Sequence, residues 1–134
     1  MMKKIILILS AAAMAASCVK YDVTEILLQR TDISLTWKGE LQMKYNPKTC
    51  QLGYNAASNE YRVYDDRLGY WFILRCSETP SYTGQVFKAD VEWTTENDTK
   101  IERSIEFKVE KTNRDGYIWL WSKSKKIGAV IRQL

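Results

Sequence analysis

Three residue types carry most of the chemistry available to this 134-residue chain: cysteine, carboxylate and large aromatic. Histidine is absent, which removes the commonest general base, the commonest zinc ligand and every nucleophile paired with imidazole. The cysteines are Cys18, Cys50 and Cys76. With no imidazole to draw off the thiol proton, none of them reads as a catalytic nucleophile. Glu40, Asp90, Glu92, Glu102, Glu106 and Glu110 alternate with apolar residues, a pattern that keeps one strand face wet, and Asp65-Asp66 sits in a turn. Two carboxylates brought together in space can cleave a glycosidic bond, but no local spacing singles out a pair. Phosphate-loop, dinucleotide, calcium-loop and zinc spacings are absent too. The chain reads as non-enzymatic and without a cofactor.

The aromatics say more. There are 8 Tyr, 5 Trp and 3 Phe. Tyr117, Trp119 and Trp121 share one face of a strand whose other face holds Ile118 and Leu120, and Trp71 opposes Tyr70, Phe72 and Leu74. Such stripes fill a core, or form flat platforms for sugars, or line a cavity for a small apolar ligand. A domain of this size has one core, so burying both faces of two strands requires a further layer. Without that layer, Trp71, Trp119 or Trp121 stays available to a partner. The run Ile26-Leu27-Leu28 is the candidate cover.

The N-terminus carries an address. Met1-Met2-Lys3-Lys4 is a basic start, and residues 5–14 are apolar but for Ser10. That is the length of a signal-peptide hydrophobic region and too short to span a bilayer, which takes about 20 apolar residues. Ala15-Ala16-Ser17-Cys18 closes the segment and resembles the bacterial lipobox, with alanine at the position where that pattern usually carries leucine. The resemblance implies cleavage before Cys18 and lipidation of its thiol. Ordinary secretory cleavage near Ala16 or Ser17 is the alternative, and it leaves Cys18 a plain thiol. In length and strand-rich style the chain also resembles small Bacteroidetes lipoproteins, which implies an envelope location, at the outer membrane, and no particular activity.

A chain starting at Cys18 has 117 residues, and losing Lys3 and Lys4 lowers its net charge from +4 to +2. That near-neutral balance argues against a nucleic-acid partner. Only Val19-Lys20-Tyr21-Asp22 then separate the anchor from the first patterned residues, a reach of about 14 Å. In an oxidising envelope Cys50 and Cys76 are candidates for a disulfide. Strand order favours two buried thiols instead: in consecutive antiparallel strands the two cysteines fall at opposite ends of the sheet, whereas a bridge needs Cα atoms within about 7 Å.

The elements that must position these residues read as strands. Ile33, Leu35, Trp37, Leu41, Met43 and Tyr45 hold alternate positions around Gly39, which predicts one long strand bent or bulged at its middle. Further strands are predicted near 50–54, 61–63, 70–76, 87–93, 101–109, 117–121 and 127–131, with turns at Asn46-Pro47-Lys48, 55–59, 65–69 and Asn113-Arg114-Asp115-Gly116. Residues 22–30 read as a short helix or an edge strand. Short links between about eight strands predict an all-β antiparallel meander, closing as a small barrel or folding as a two-sheet sandwich. Ser77–Gly84 is the best candidate for a crossing between sheets. The expected role is a lipid-anchored, non-catalytic binding module for a glycan or small apolar ligand. The alternative is a structural or interaction subunit of an envelope, secretion or conjugation complex.

Overall fold

The computed structural model describes residues 23–94 and 98–133. The leader, Cys18 and the tether lie outside the described residues. Helix α1 (Val23–Leu28) is followed by nine strands: β1 (Ser34–Trp37), β2 (Glu40–Lys44), β3 (Cys50–Asn55), β4 (Glu60–Asp65), β5 (Tyr70–Cys76), β6 (Val86–Thr94), β7 (Thr99–Thr112), β8 (Tyr117–Ser122) and β9 (Ile127–Arg132). They form one antiparallel sheet in the order β2-β1-β9-β8-β7-β6-β5-β4-β3. Every pair of chain neighbours is hydrogen-bonded except β2 and β3, and the last strand pairs with the first. The meander is thus a curled, barrel-like sheet with a seam between β2 and β3. The seam has a topological cause. Nine alternating strands leave the two edge strands pointing the same way, so they cannot complete an antiparallel ring.

The predicted long strand over 33–45 is two strands. Lys38 and Gly39 both have positive φ (54° and 82°), the geometry of a two-residue hairpin of matching twist. Gly39 therefore marks a reversal rather than a bend. The alternation survives the reversal: Leu35 and Met43, directly opposite each other, both point into the core. A register shift beside Leu35 then leaves Leu41 exposed. Ser77–Gly84 is no crossing between sheets either, because β5 and β6 pair directly. Buried Gln85 shapes that loop: its amide donates to Glu78 Oε1 (2.7 Å) and Thr79 O (3.0 Å), and its Oε1 accepts from Ser81 N–H (2.6 Å).

The inner face supplies one core. Leu35, Phe72, Leu74, Val91, Trp93, Phe107, Val109, Leu120 and Ile131 meet there, contributed by strands from all round the sheet. Trp93 holds the curl across the interior. Its indole N–H donates to Gln42 Oε1 (3.2 Å), and its ring meets Trp37 edge-on at 5.8 Å, which ties β6 to the β1–β2 hairpin. A second, smaller cluster lies on the outer face, where Leu27 of α1 packs on Trp119, Trp121 and Val130. Six residues of helix are too few to be stable alone. Burial of Leu27 and the bond from Trp119 Nε1–H to Arg30 O (3.1 Å) hold α1 in place.

Cys50 and Cys76 do not form a disulfide. Both are buried free thiols. Cys50 faces Asp65, Asp65 faces Tyr70, and Cys76 lies at the far end of the strand that Tyr70 begins. Six residues of strand separate the two levels by roughly 20 Å.

Candidate functional site

The aromatic residues singled out by pattern go to two places. Trp119 and Trp121 are buried beneath α1, at 3% and 8% exposure. Tyr117, half-buried, stacks obliquely on Trp119 (6.2 Å) with the Arg132 guanidinium 5.0 Å from its ring centre. The expected cover, Leu27 above all, therefore lies over β8. Among the described residues nothing comparable covers the outer face of β5, where Trp71 and Ile73 are half-buried.

Strand register builds a site around Trp71. Gln51 faces Tyr64 and Tyr64 faces Trp71, so these three stand in one row on the outer face of β3, β4 and β5. The adjacent outward row is Gly53, Arg62 and Ile73. Gly53 has no side chain where the row needs one. A Cβ there would meet only Arg62 Cβ, at 3.7 Å, so the missing methyl leaves a depression rather than admitting a neighbour. The result is an open cleft of about 390 Å³ lined by Gln51, Leu52, Gly53, Arg62, Tyr64, Trp71 and Ile73, with Val63 at its floor. The volume is in the range of small-molecule clefts.

Its electrostatics are set from one side. Arg62 Nε donates to Glu60 Oε2, Arg75 Nε donates to Glu60 Oε1 (2.8 Å), and Arg75 also reaches Glu92 (3.3 Å). The Arg62 hydrogen bond is the main cause that lowers the Glu60 carboxyl below its ordinary range; burial opposes it and Arg75 reinforces it. Glu60 thus stays ionised and fixes Arg62 along the rim. Gln51 donates to Asp66 Oδ2 (2.8 Å), which leaves its amide oxygen free to accept. The charged or polar side chains among the lining residues are Gln51, Arg62 and Tyr64. Two aromatic faces and two fixed hydrogen-bonding groups offer stacking and hydrogen bonding side by side.

The interior offers less room. The cavity beside Leu52, Tyr54, Tyr61 and Ile131 holds about 30 Å³, space on the order of a water or two. Tyr61 fills that end, its hydroxyl accepting from Gln133 Nε2 (2.6 Å), and burial holds the phenol neutral. Burial also pushes the Cys76 thiol up to about 12, so it carries no thiolate at neutral pH. Among the described residues no cluster of His, Cys, Asp or Glu is arranged to hold a metal, and no helix is long and apolar enough to cross a membrane.

Of the residues around this cleft, pattern reading of the sequence singles out Trp71 and does not single out Tyr64, Gln51, Arg62 or Gly53. Gly53 was the available signal, since an isolated glycine inside a strand marks a bulge or an open place on the sheet. Comparison with models of protein families, with curated proteins and with solved structures finds no match.

Proposed function

We propose that this protein is a lipid-anchored, non-catalytic binding module of the bacterial envelope, and that it holds a glycan on the outer face of β3, β4 and β5. The observation that carries the reading is the row Gln51–Tyr64–Trp71 beside the bare backbone of Gly53. A pyranose presents an apolar C–H face to an aromatic ring and hydroxyls at its edge. Trp71 and Tyr64 supply the first contact, and Gln51 and Arg62 the second. A polar ligand fits this cleft better than a purely apolar one, because the rim is rich in hydrogen-bonding groups and the interior is packed with side chains. Anchoring through Cys18 at the outer membrane is supported by the lipobox-like segment.

Affinity electrophoresis through gels containing soluble bacterial and plant polysaccharides tests the site. Retardation by at least one polysaccharide, lost in Trp71→Ala and weakened in Tyr64→Ala, is expected. Base-line mobility against the whole panel, or retardation that survives Trp71→Ala, overturns the glycan reading.

One observation favours a second role, docking to an envelope protein. Strand β3 is an unpaired edge with Leu52 and Tyr54 exposed at 38% and 43%, and such an edge can accept an added strand. Co-purification of a stoichiometric envelope protein that Leu52→Pro releases, with Trp71→Ala neutral, would favour that role.

A further inference from the structure

We propose that the end of the sheet bearing the 38–39 and 123–126 turns is a membrane-facing surface that docks on anionic lipid headgroups. The inference rests on the lipid-anchor reading of Cys18 and goes beyond it by naming the face that meets the bilayer.

The described chain begins at Val23, and Val23 lies at this end. Its Cγ1 is 2.9 Å from where a Cβ on Gly39 would stand, so the start of α1 sits on the β1–β2 turn. That turn is joined to the β8–β9 turn by the bond from Lys38 N–H to Lys126 O (2.7 Å). Val23, Thr24, Lys123 and Lys126 border one concavity. Four residues, 19–22, stand between Cys18 and Val23, and fully extended they reach about 14 Å. Counting the five steps from Cys18 to Val23, a lipid on Cys18 therefore holds these two turns within about two Debye lengths of the headgroups at physiological salt.

The surface so held is basic. Lys38, Lys123, Lys125 and Lys126 are exposed at the two turns, and Lys88 and Arg103 line the adjoining open concavity of about 700 Å³. The carboxylates nearby are Glu40, Asp90, Asp98, Glu102, Glu106 and Glu110. Asp98 is taken up by Lys100 (3.1 Å) and Glu102 by Lys125 (3.5 Å), and Glu106 stands opposite Lys88; Lys38, Arg103, Lys108, Lys123 and Lys126 then outnumber Glu40, Asp90 and Glu110. Compact ammonium groups on a turn suit phosphate-bearing headgroups, where each adds roughly equally to attraction and salt weakens all of them.

Lysine footprinting tests the orientation on the mature full chain. The protein is reconstituted in phosphatidylcholine or phosphatidylglycerol vesicles, acylated with an amine reagent and read by mass spectrometry. In phosphatidylglycerol, Lys38, Lys123, Lys125 and Lys126 should label at least about ten-fold more slowly than in phosphatidylcholine, with the difference shrinking in high salt. Lys44, close to Asp32, and Lys111, over the Trp119 ring, lie toward the opposite end and should label equally in both. The triple variant K123E/K125E/K126E should lose the protection at Lys38 while keeping its thermal melting point. Equal labelling in the two vesicles, protection of Lys44 and Lys111 instead, or protection of Lys38 that survives the triple variant each overturns the proposal. The mass of the N-terminal peptide from the same sample separates the two readings. A lipidated Cys18 with unprotected turn lysines overturns the docking face alone, whereas an unmodified Cys18 overturns both.

Discussion

Glu60 shows how much one side chain organises on the outer face. It is nearly buried and accepts from Arg62 and from Arg75, which Glu92 also holds. Replacing it by Gln keeps the shape and removes the charge. Glu60→Gln should cost about 1–3 kcal/mol of stability at pH 7 and weaken ligand retention by freeing Arg62. The pH dependence has a definite sign. The folded carboxyl titrates below its ordinary value of 4.5, so its contribution is complete above the unfolded value and is lost as pH falls through the lower, folded one. The melting-temperature gap between wild type and Glu60→Gln should therefore be widest near pH 7 and close on acidification below about 4.5. A gap that stays constant from pH 7 to pH 3 would show that the charge is not the source of the stabilisation. Trp71 and Trp37 are half-buried whereas Trp93, Trp119 and Trp121 are buried: iodide should quench the first two, and Trp71→Phe should remove a substantial part of the quenchable fluorescence and leave that of Trp37. Equal quenching in that variant would place the exposed indole elsewhere.

Helix α1 depends on a glycine in the strand beneath it. A Cβ on Gly128 would lie 2.7 Å from Thr36 Oγ1 and 2.8 Å from Leu27 Cδ1, distances that no packing tolerates without a shift. Gly128 is thus the recess into which Leu27 sits, and through which α1 covers Trp119 and Trp121. Gly128→Ala should lift the helix and destabilise the fold by about 1–3 kcal/mol, with iodide gaining access to Trp119 and Trp121. Leu27→Ala should expose the same indoles and cost about 2–4 kcal/mol. If either variant unfolds as wild type does and its tryptophans stay shielded, the helix is not what covers them. Strand β7 shows the opposite use of local geometry. Ser104 has φ 53° inside a strand, beside the register shift of β6, and its N–H donates to Asp90 Oδ1 (2.8 Å). The bulge lets a 14-residue strand turn along the curl of the sheet.

At the scale of the whole molecule, strand number and strand order have consequences for partners and for chemistry. The odd number leaves β2 and β3 unpaired with each other, so two edges remain on a sheet that an even-numbered meander would have closed. The meander itself, whatever its strand number, sets Cys50 and Cys76 on second-neighbour strands that run the same way, at different levels. Neither thiol should react with an aromatic disulfide reagent in native buffer, and both should react once the chain is denatured, with no reductant needed. A denatured chain that yields both thiols only after reduction would reveal a bridge and require a different strand arrangement.

The sequence by itself determined the alternation, the turns and most strand positions, because a half-buried antiparallel strand must show period two and tight turns need residues such as Asn113 and Gly116. In the turn at 113–116, Asn113 Oδ1 accepts from the N–H of both Asp115 and Tyr117, as that residue type predicts. It also marked Trp71 and Trp119 as equivalent, each on a strand that is apolar on both faces. Tertiary structure separated them. Whether an aromatic on the second face is core or surface depends on what lies across it, and α1 reaches β8 but not β5. Equally, Gly39 reads as a bend or bulge in one long strand, and only the positive φ values of Lys38 and Gly39 make it a reversal. The cleft was invisible for the same reason: Gln51, Gly53, Arg62, Tyr64 and Trp71 come from three strands, and cross-strand register, which no local pattern encodes, is what makes them neighbours.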